Sequence, residues 1–332
     1  MVLWKPDYFD RFRCIASACP DSCCKEWEVQ VDEAAAAFYR DLTGPLGDRL
    51  RQVLREEDGQ TLMTIIDGRC PMWRADGLCR IQAELGEAAL CKTCREYPRL
   101  THDYGDFIEY GLELSCPEAA RFILNADPAP LLSLHTTAEG TAEYDEEAMS
   151  VLKATREKVL NILADTARPV GQTLALVLLY GCQAQGELDG AEETPFDPES
   201  ALESAWELAR PADLLGVPGF FLELELLTKT WERRLRHPQP TSWDRKLLAI
   251  ARYLVQRYWL QAVSDYDLYS RVKLVVIACL LLKTLGGDLT ETAQLFSKEV
   301  ENDADNVDAL LDAAYDYPAF TDDKLLYLLL KE

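Results

Sequence analysis

The sequence predicts a mainly α-helical protein. An N-terminal cysteine-rich metal or iron–sulfur module with a few short strands is expected over residues 1–125. A linker over 126–141 and a C-terminal α-helical domain over 142–332 follow. Three observations carry this expectation. Nine of the eleven cysteines fall within the first 116 residues. Stretches that alternate with period two, as half-buried strands do, occur in that same region. Beyond Thr141 the apolar positions recur at helical spacing, in segments parted by proline and glycine.

In chain order, residues 1–13 alternate aromatic and charged groups (Trp4, Tyr8, Phe9, Phe12) and are expected to fold against the cysteine module. The first cysteine group, CIASACPDSCC, contains Pro20, Asp21 and Ser22, which suit a tight loop. Trp27 to Val31 alternates as a short strand, and Asp32 is placed to cap a helix through DEAAAAFYRDL that Gly44-Pro45 ends. A second helix is expected over Leu46 to Glu57, then a strand over Thr61 to Ile66 that leads into Cys70. The segment IQAELGEAAL reads as a short helix delivering Cys91 and Cys94 at its C-terminal end. A turn at Tyr104-Gly105 precedes a strand over Phe107 to Leu114. Ser115-x-x-Glu118 forms a capping box with Pro117 in the first turn, so Cys116 sits where a helix N-terminus stabilises a thiolate.

In the second half, helices are expected at Asp145–Ala164, Val170–Gly181, Pro198–Arg210, Gly219–Arg236 and Ser242–Val263. Further ones are expected at Leu268–Leu285, Leu289–Val300, Val307–Tyr315 and Asp322–Leu330. Cys182 and Cys279 lie in apolar helical runs and read as buried small hydrophobes.

Composition narrows the function. The net charge of −23 argues against a nucleic-acid partner, because phosphate contacts need a basic face. Residues 1–125 hold 15 basic and 22 acidic side chains and the remainder 19 and 35, so the acidity concentrates away from the cysteines. It serves solubility or attracts a cationic substrate such as a lysine side chain. The longest apolar run, Val275 to Leu282, is far shorter than a bilayer span, and the first residues do not read as a secretory signal. A cytoplasmic protein without a membrane partner is expected.

In a reducing compartment, clustered cysteines read as metal or cluster ligands rather than disulfides. The candidate ligands are Cys14, Cys19, Cys23, Cys24, Cys70, Cys79, Cys91, Cys94 and Cys116; Cys70, Cys79, Cys94 and Cys116 could complete a site without Cys91. Four thiolates suit tetrahedral zinc and equally an iron–sulfur cube, and the spacings match neither the ferredoxin run nor an ordinary zinc ribbon. None of the three histidines, His102, His135 and His237, has a partner at helical spacing, which disfavours a histidine-based site. No Gly-x-Gly-x-x-Gly follows a strand, so the usual dinucleotide-type site is absent.

The stretches CIASACPDSCCKEWEVQVD, CPMWRADGLCRIQAELGEAALCKTCREYPR and LSCPEAARFIL resemble the flagellin lysine-N-methylases of bacteria. Those proteins belong to a wider set named for a CxxCxxCC signature and described as zinc- or iron-chelating. The first group here, Cys14-x4-Cys19-x3-Cys23-Cys24, is looser than that signature. The resemblance covers roughly residues 8–125. It implies methylation of surface lysines on flagellin, S-adenosylmethionine as donor, and an iron–sulfur cluster of the 4Fe-4S kind, with zinc as the alternative metal. Transfer to lysine needs a neutral amine and a group to take its proton. Near the cysteines, Tyr97, Tyr104, Tyr110, Glu109, Glu113 and Glu118 are candidates for that role. Arg95 and Arg99, beside Cys94, are candidates to contact the cofactor. The competing readings are a metal-stabilised interaction module without catalysis and an iron–sulfur redox protein.

Overall fold

The computed structural model describes residues 1–137 and 140–331, so Ala138 and Glu139, inside the expected linker, lie outside the described residues. The first 137 residues form β1 (Val2–Lys5), β2 (Val29–Val31), α1 (Glu33–Asp41), α2 (Pro45–Val53), β3 (Leu54–Glu57), β4 (Gln60–Met63), α3 (Arg80–Leu85) and α4 (Lys92–Glu96). β5 (Arg99–Asp103), β6 (Phe107–Leu112), α5 (Pro117–Leu124) and β7 (Leu132–His135) follow. The rest is helical: α6 (Glu146–Ala164), α7 (Val170–Leu188), α8 (Pro198–Leu208), α9 (Val217–Phe221), α10 (Lys229–Arg236), α11 (Lys246–Tyr258), α12 (Leu268–Leu285), α13 (Leu289–Phe296), α14 (Ala304–Asp316) and α15 (Asp322–Leu330). The molecule is mainly α, as expected. No helix among the described residues is long and apolar enough to cross a membrane.

Two sheets share the N-terminal part. One has the order β5-β6-β1-β7, with β1 parallel to β6 (Val2 opposite Phe107) and antiparallel to β7. The other is the antiparallel β2-β4-β3. The hydrophobic interior has two parts. A large core runs from Tyr8 and Phe12 through Phe107 and Ile123 to the helices as far as Leu330. A smaller one, from Val29 to Cys91, is built by β2, α1, α2 and the cysteine-bearing loops. Residues 1–13 thus enter the large core through β1, and β7 ties part of segment 126–141 to the same sheet.

Several local expectations are corrected. The helix expected over Leu46–Glu57 stops at Val53, because Asp58 (φ 49°) and Gly59 (φ 77°) form a two-residue turn with both φ positive. Such a turn matches the twist of a hairpin, here β3–β4. Gly86, at φ 87°, ends α3, so IQAELGEAAL does not carry Cys91 and Cys94; Cys91 instead begins α4. Cys116, not Ser115, is the N-cap of α5. The helix expected over Gly219–Arg236 is two, parted after Phe221, and the second is restarted by Thr228, whose side chain accepts from Trp231 N–H. The expected Leu289–Val300 helix passes into a π-helical turn at Ser297–Glu301. Cys279 is fully buried, whereas Cys182 is exposed on α7.

In the helical half α12 is apolar nearly all round and is the buried axis. It lies so close to α7 that a Cβ on Gly181 would meet Val272 Cγ1 at 2.4 Å. Asp145, accepting from Ala148 N–H at 3.0 Å, starts α6 as the sequence predicts.

Candidate metal centre and adjoining cleft

Every cysteine in the chain is a free thiol. Three of the nine N-terminal ones, Cys79, Cys91 and Cys116, are the residues from which α3, α4 and α5 start. The unpaired N–H groups of a first turn favour a thiolate. At Cys79, burial raises the thiol pKa, and the amides of Gln82 and Ile81 work against it. At Cys116, burial pushes it up to about 12, opposed by the amides of Ala119 and Glu118.

The thiols form two neighbouring groups. In the inner one, Cys24 is in hydrogen-bond contact with both Cys23 and Cys70, and Cys91 with Cys94. Cys79 stands within electrostatic range of Cys70 and Cys23. The contact with Cys24, opposed by burial and helped by the amides of Met72 and Trp73, holds Cys70 at about 7, well below an ordinary thiol. In the outer group, Cys14, Cys19 and Cys116 lie within electrostatic range of one another, and Cys23 adjoins Cys19. Among the described residues no three His, Cys, Asp or Glu side chains stand in ligating geometry. The donor set nevertheless fits a soft metal or cluster in kind: free thiols, in contact by twos and threes, with backbone amides turned toward several of them.

A cleft of about 640 Å³ opens beside the outer group. Ile15, Pro20 and Pro117, the chain neighbours of Cys14, Cys19 and Cys116, form part of its wall, and Lys25 follows Cys24. Thr228, Thr230, Asp288, Thr290 and Glu291 supply the opposite wall from the starts of α10 and α13, with Leu295 from the last turn of α13. Its volume is within the usual range for small-molecule sites.

The π-helical turn fastens the two walls. Lys298, with only 1% of its side chain exposed, reaches Asp21 at 3.0 Å and Glu26 at 2.7 Å, and its Nζ lies 4.8 Å from the Trp27 ring centroid. Gln294 donates to Asp21 at 3.1 Å and to the Ser115 carbonyl at 2.8 Å. Burial alone would raise the Asp21 pKa; the charge and hydrogen bond of Lys298 reverse this and hold the carboxyl below its usual range. The neighbouring charges of the same turn serve other elements. Glu299 accepts from Leu227 N–H and Thr228 Oγ1, and Glu301 from Tyr253 and Tyr258. π-Helical turns are concentrated at functional sites.

The structure sorts the sequence candidates. Tyr97 and Glu113 come together through Ser115: the Tyr97 hydroxyl lies 3.2 Å from Ser115 Oγ, which donates to Glu113 at 3.2 Å. Burial raises both pKa values, Tyr97 well above the usual phenol; Cys116 and Cys23 are within its electrostatic range. Glu109 is elsewhere, bound by both Nη atoms of Arg156 at 2.6 and 2.8 Å across the β6–α6 interface. Tyr110 packs on Phe9, and Tyr104 stacks on Phe107. Glu118 lines the cleft, paired with Arg121. Arg95 donates to the Leu90 carbonyl, and Arg99 lies over the Phe12 ring; neither lines the cleft. His102 lies apart in a small buried pocket beside Arg257; burial first, then that guanidinium, lower its pKa.

Lys298, Gln294 and Arg257 escape sequence reasoning. All three lie within expected helices, and the π turn buries the charges of Lys298, Glu299 and Glu301.

Comparison with known proteins gives three related matches. The chain is 33% identical over 148 residues to the Lysine-N-methylase of Salmonella typhimurium (strain LT2), covering 42% of this chain and 37% of that protein. It is 32% identical over 148 residues to the Lysine-N-methylase of Salmonella choleraesuis (strain SC-B67). The match to the Flagellar biosynthetic protein FliU of Salmonella muenchen is 34% over 135 residues, covering 39% of this chain and 79% of that protein. The chain therefore spans under two-fifths of the length of the two lysine-N-methylases and most of FliU. No family model and no solved structure matches. On the similarity to FliU and the two methylases, the chain belongs to the flagellin lysine-N-methylase family.

Proposed function

We propose that the protein is an S-adenosylmethionine-dependent protein-lysine N-methyltransferase acting on flagellin, with an iron–sulfur cluster on its N-terminal thiols. The observation that carries this reading is the similarity to relatives named lysine-N-methylase, joined to a ligand-sized cleft beside Cys14, Cys19 and Cys116. The inner thiols Cys23, Cys24, Cys70, Cys79, Cys91 and Cys94, with the outer three, are the set from which the four ligands of a cluster would be drawn. When bound, it supplies a soft, redox-capable centre next to the cleft.

The chain's own groups account for the acceptor side. Asp21, Glu26, Glu118, Asp288 and Glu291 outnumber Lys25, Arg121 and Lys298 in the lining, so the cleft favours an ammonium although Asp21, Glu26, Glu118 and Glu291 are already ion-paired. Pro20, Pro117 and Leu295 give it apolar wall. Desolvation against that wall lowers the acceptor lysine pKa, so that its first proton passes to a cleft carboxylate or to water and the lone pair is exposed. As the new C–N bond forms, the methyl–sulfur bond breaks and its electron pair stays on a neutral thioether. The ammonium proton then leaves to a cleft carboxylate or to water.

The test is incubation of the protein, purified without oxygen, with flagellin and S-adenosylmethionine, followed by intact-mass and peptide analysis. The expected result is a gain of one methylene mass per transfer on lysines, lost when Glu118→Gln is combined with Glu291→Gln. No gain on flagellin with metal-loaded protein and reductant would overturn the proposal.

A further inference from the structure

A second cleft, of about 510 Å³, lies between α6, the Pro128–Leu131 segment, Trp4 of β1 and Arg252 of α11. It shares no lining residue with the cleft beside the thiols. Its walls are largely apolar: Trp4, Pro128, Pro130, Leu131 and Leu160.

What marks it is its charge. Lys153 and Arg252 are half-buried, and cations withdrawn from water are commonly paired because desolvation is costly. Here Lys153 Nζ has no hydrogen bond or ion pair among the described residues. It rests 3.8 Å from the Phe107 ring centroid and 5.4 Å from that of Trp4. Arg252 Nη1 is buried without a hydrogen-bond partner. The nearby acids are committed or at a distance. Glu109 is held by Arg156, Asp106 accepts from Tyr144 at 2.7 Å, and Asp127 acts on Arg252 only at longer range. Burial pulls both cations below their ordinary pKa values, so a counter-charge in the cleft would relieve each of them. In a chain of net charge −23, two cations without bonded counter-charges facing one apolar cleft are a local reversal of sign.

We infer that this cleft is a binding site for a small amphipathic anion, a planar apolar body carrying a phosphate or carboxylate. The body lies along Trp4 and the proline segment, and the anionic group meets Lys153 and Arg252. Glu157, the one acid of the lining, disfavours a second negative group at its side.

Calorimetric titration of the full chain with phenyl phosphate and with adenosine 5′-monophosphate tests this, using phenol and adenosine as uncharged counterparts. At least one phosphate is expected to saturate a single site more tightly than its uncharged counterpart. Lys153→Met should weaken it about ten-fold, the loss of one charge-assisted contact. Preference for phenyl phosphate would identify a simple aryl anion, and preference for the nucleotide a nucleoside phosphate. Glu157→Gln, an exposed change that leaves the fold intact, should tighten binding and guards against misfolding of the lysine variant. Equal binding of charged and uncharged probes, no saturation by either phosphate, or affinities unchanged in both variants would overturn the inference.

Discussion

The two cores of this protein are stabilised by different means. The large one gathers aromatic and aliphatic side chains from both ends of the chain around α12, and hydrophobic burial is enough to hold it. The small one has thirteen buried side chains, of which Cys70 and Cys91 are two, with Cys24 and Cys79 packed against them. A core of that size rarely supplies more than about 3–5 kcal/mol, and small folds of this kind add metals or disulfides. With every thiol free, no disulfide supplements this core, and the proposed metal would do so. On the proposed metal binding, the cysteines would substitute structurally for apolar side chains as well as form a chemical centre.

The largest effect should come from removing the metal. Chelation, or Cys70→Ala with Cys91→Ala, is expected to abolish hydrogen-exchange protection across residues 29–91 while α7 and α12 stay protected. That corresponds to a loss of at least about 3 kcal/mol confined to the small core. Equal loss in both regions would break the distinction between them. Next is Arg156→Met, which leaves Glu109 as an uncompensated buried carboxylate. It should cost about 3–5 kcal/mol in the large core, read by denaturant unfolding, and leave metal content unchanged.

The Lys298 latch joins the two regions, so Lys298→Met should act on both. About 2 kcal/mol of destabilisation is expected, with faster exchange in residues 15–26. Its pH dependence has a definite sign. The folded Asp21 pKa lies below the unfolded one, so its contribution is present above the unfolded value. It is lost as the pH falls through the folded one, in the acid range below about 4. Protection of residues 15–26 that is insensitive to acid would remove Asp21 from the latch. The smallest effect is Asp145→Ala, an N-cap loss of about 1 kcal/mol at α6, measurable as a lowered Tm without change at the thiols.

The helical half was legible because its signals are local. Leu268–Leu285 and Asp322–Leu330 begin and end where periodicity, Asp267 and Gly286 say they should. The strands were less so. β1 and β7 depend on partners far away in sequence, and β1 pairs in parallel with a segment more than a hundred residues on, for which no turn signal exists. The thiols were visible as a set, but their helix-starting positions required the breaks at Gly86 and before Pro117 to be placed correctly. Lys298 was invisible because its burial depends on a π turn and on carboxylates from the first cysteine loop. Tyr97 and Glu113 are recognisable singly; Ser115, which joins them, reads from the sequence as part of a capping box.

The central claim, that cluster-bound thiols hold the small core and flank the cleft, is tested most directly by metal and sulfide analysis. The protein would be purified without oxygen, alongside Cys23→Ala. The account predicts iron and acid-labile sulfide in matching amounts with broad absorbance near ~400 nm, all lost in the variant. Zinc without sulfide, or a metal content that Cys23→Ala leaves unchanged, would contradict it.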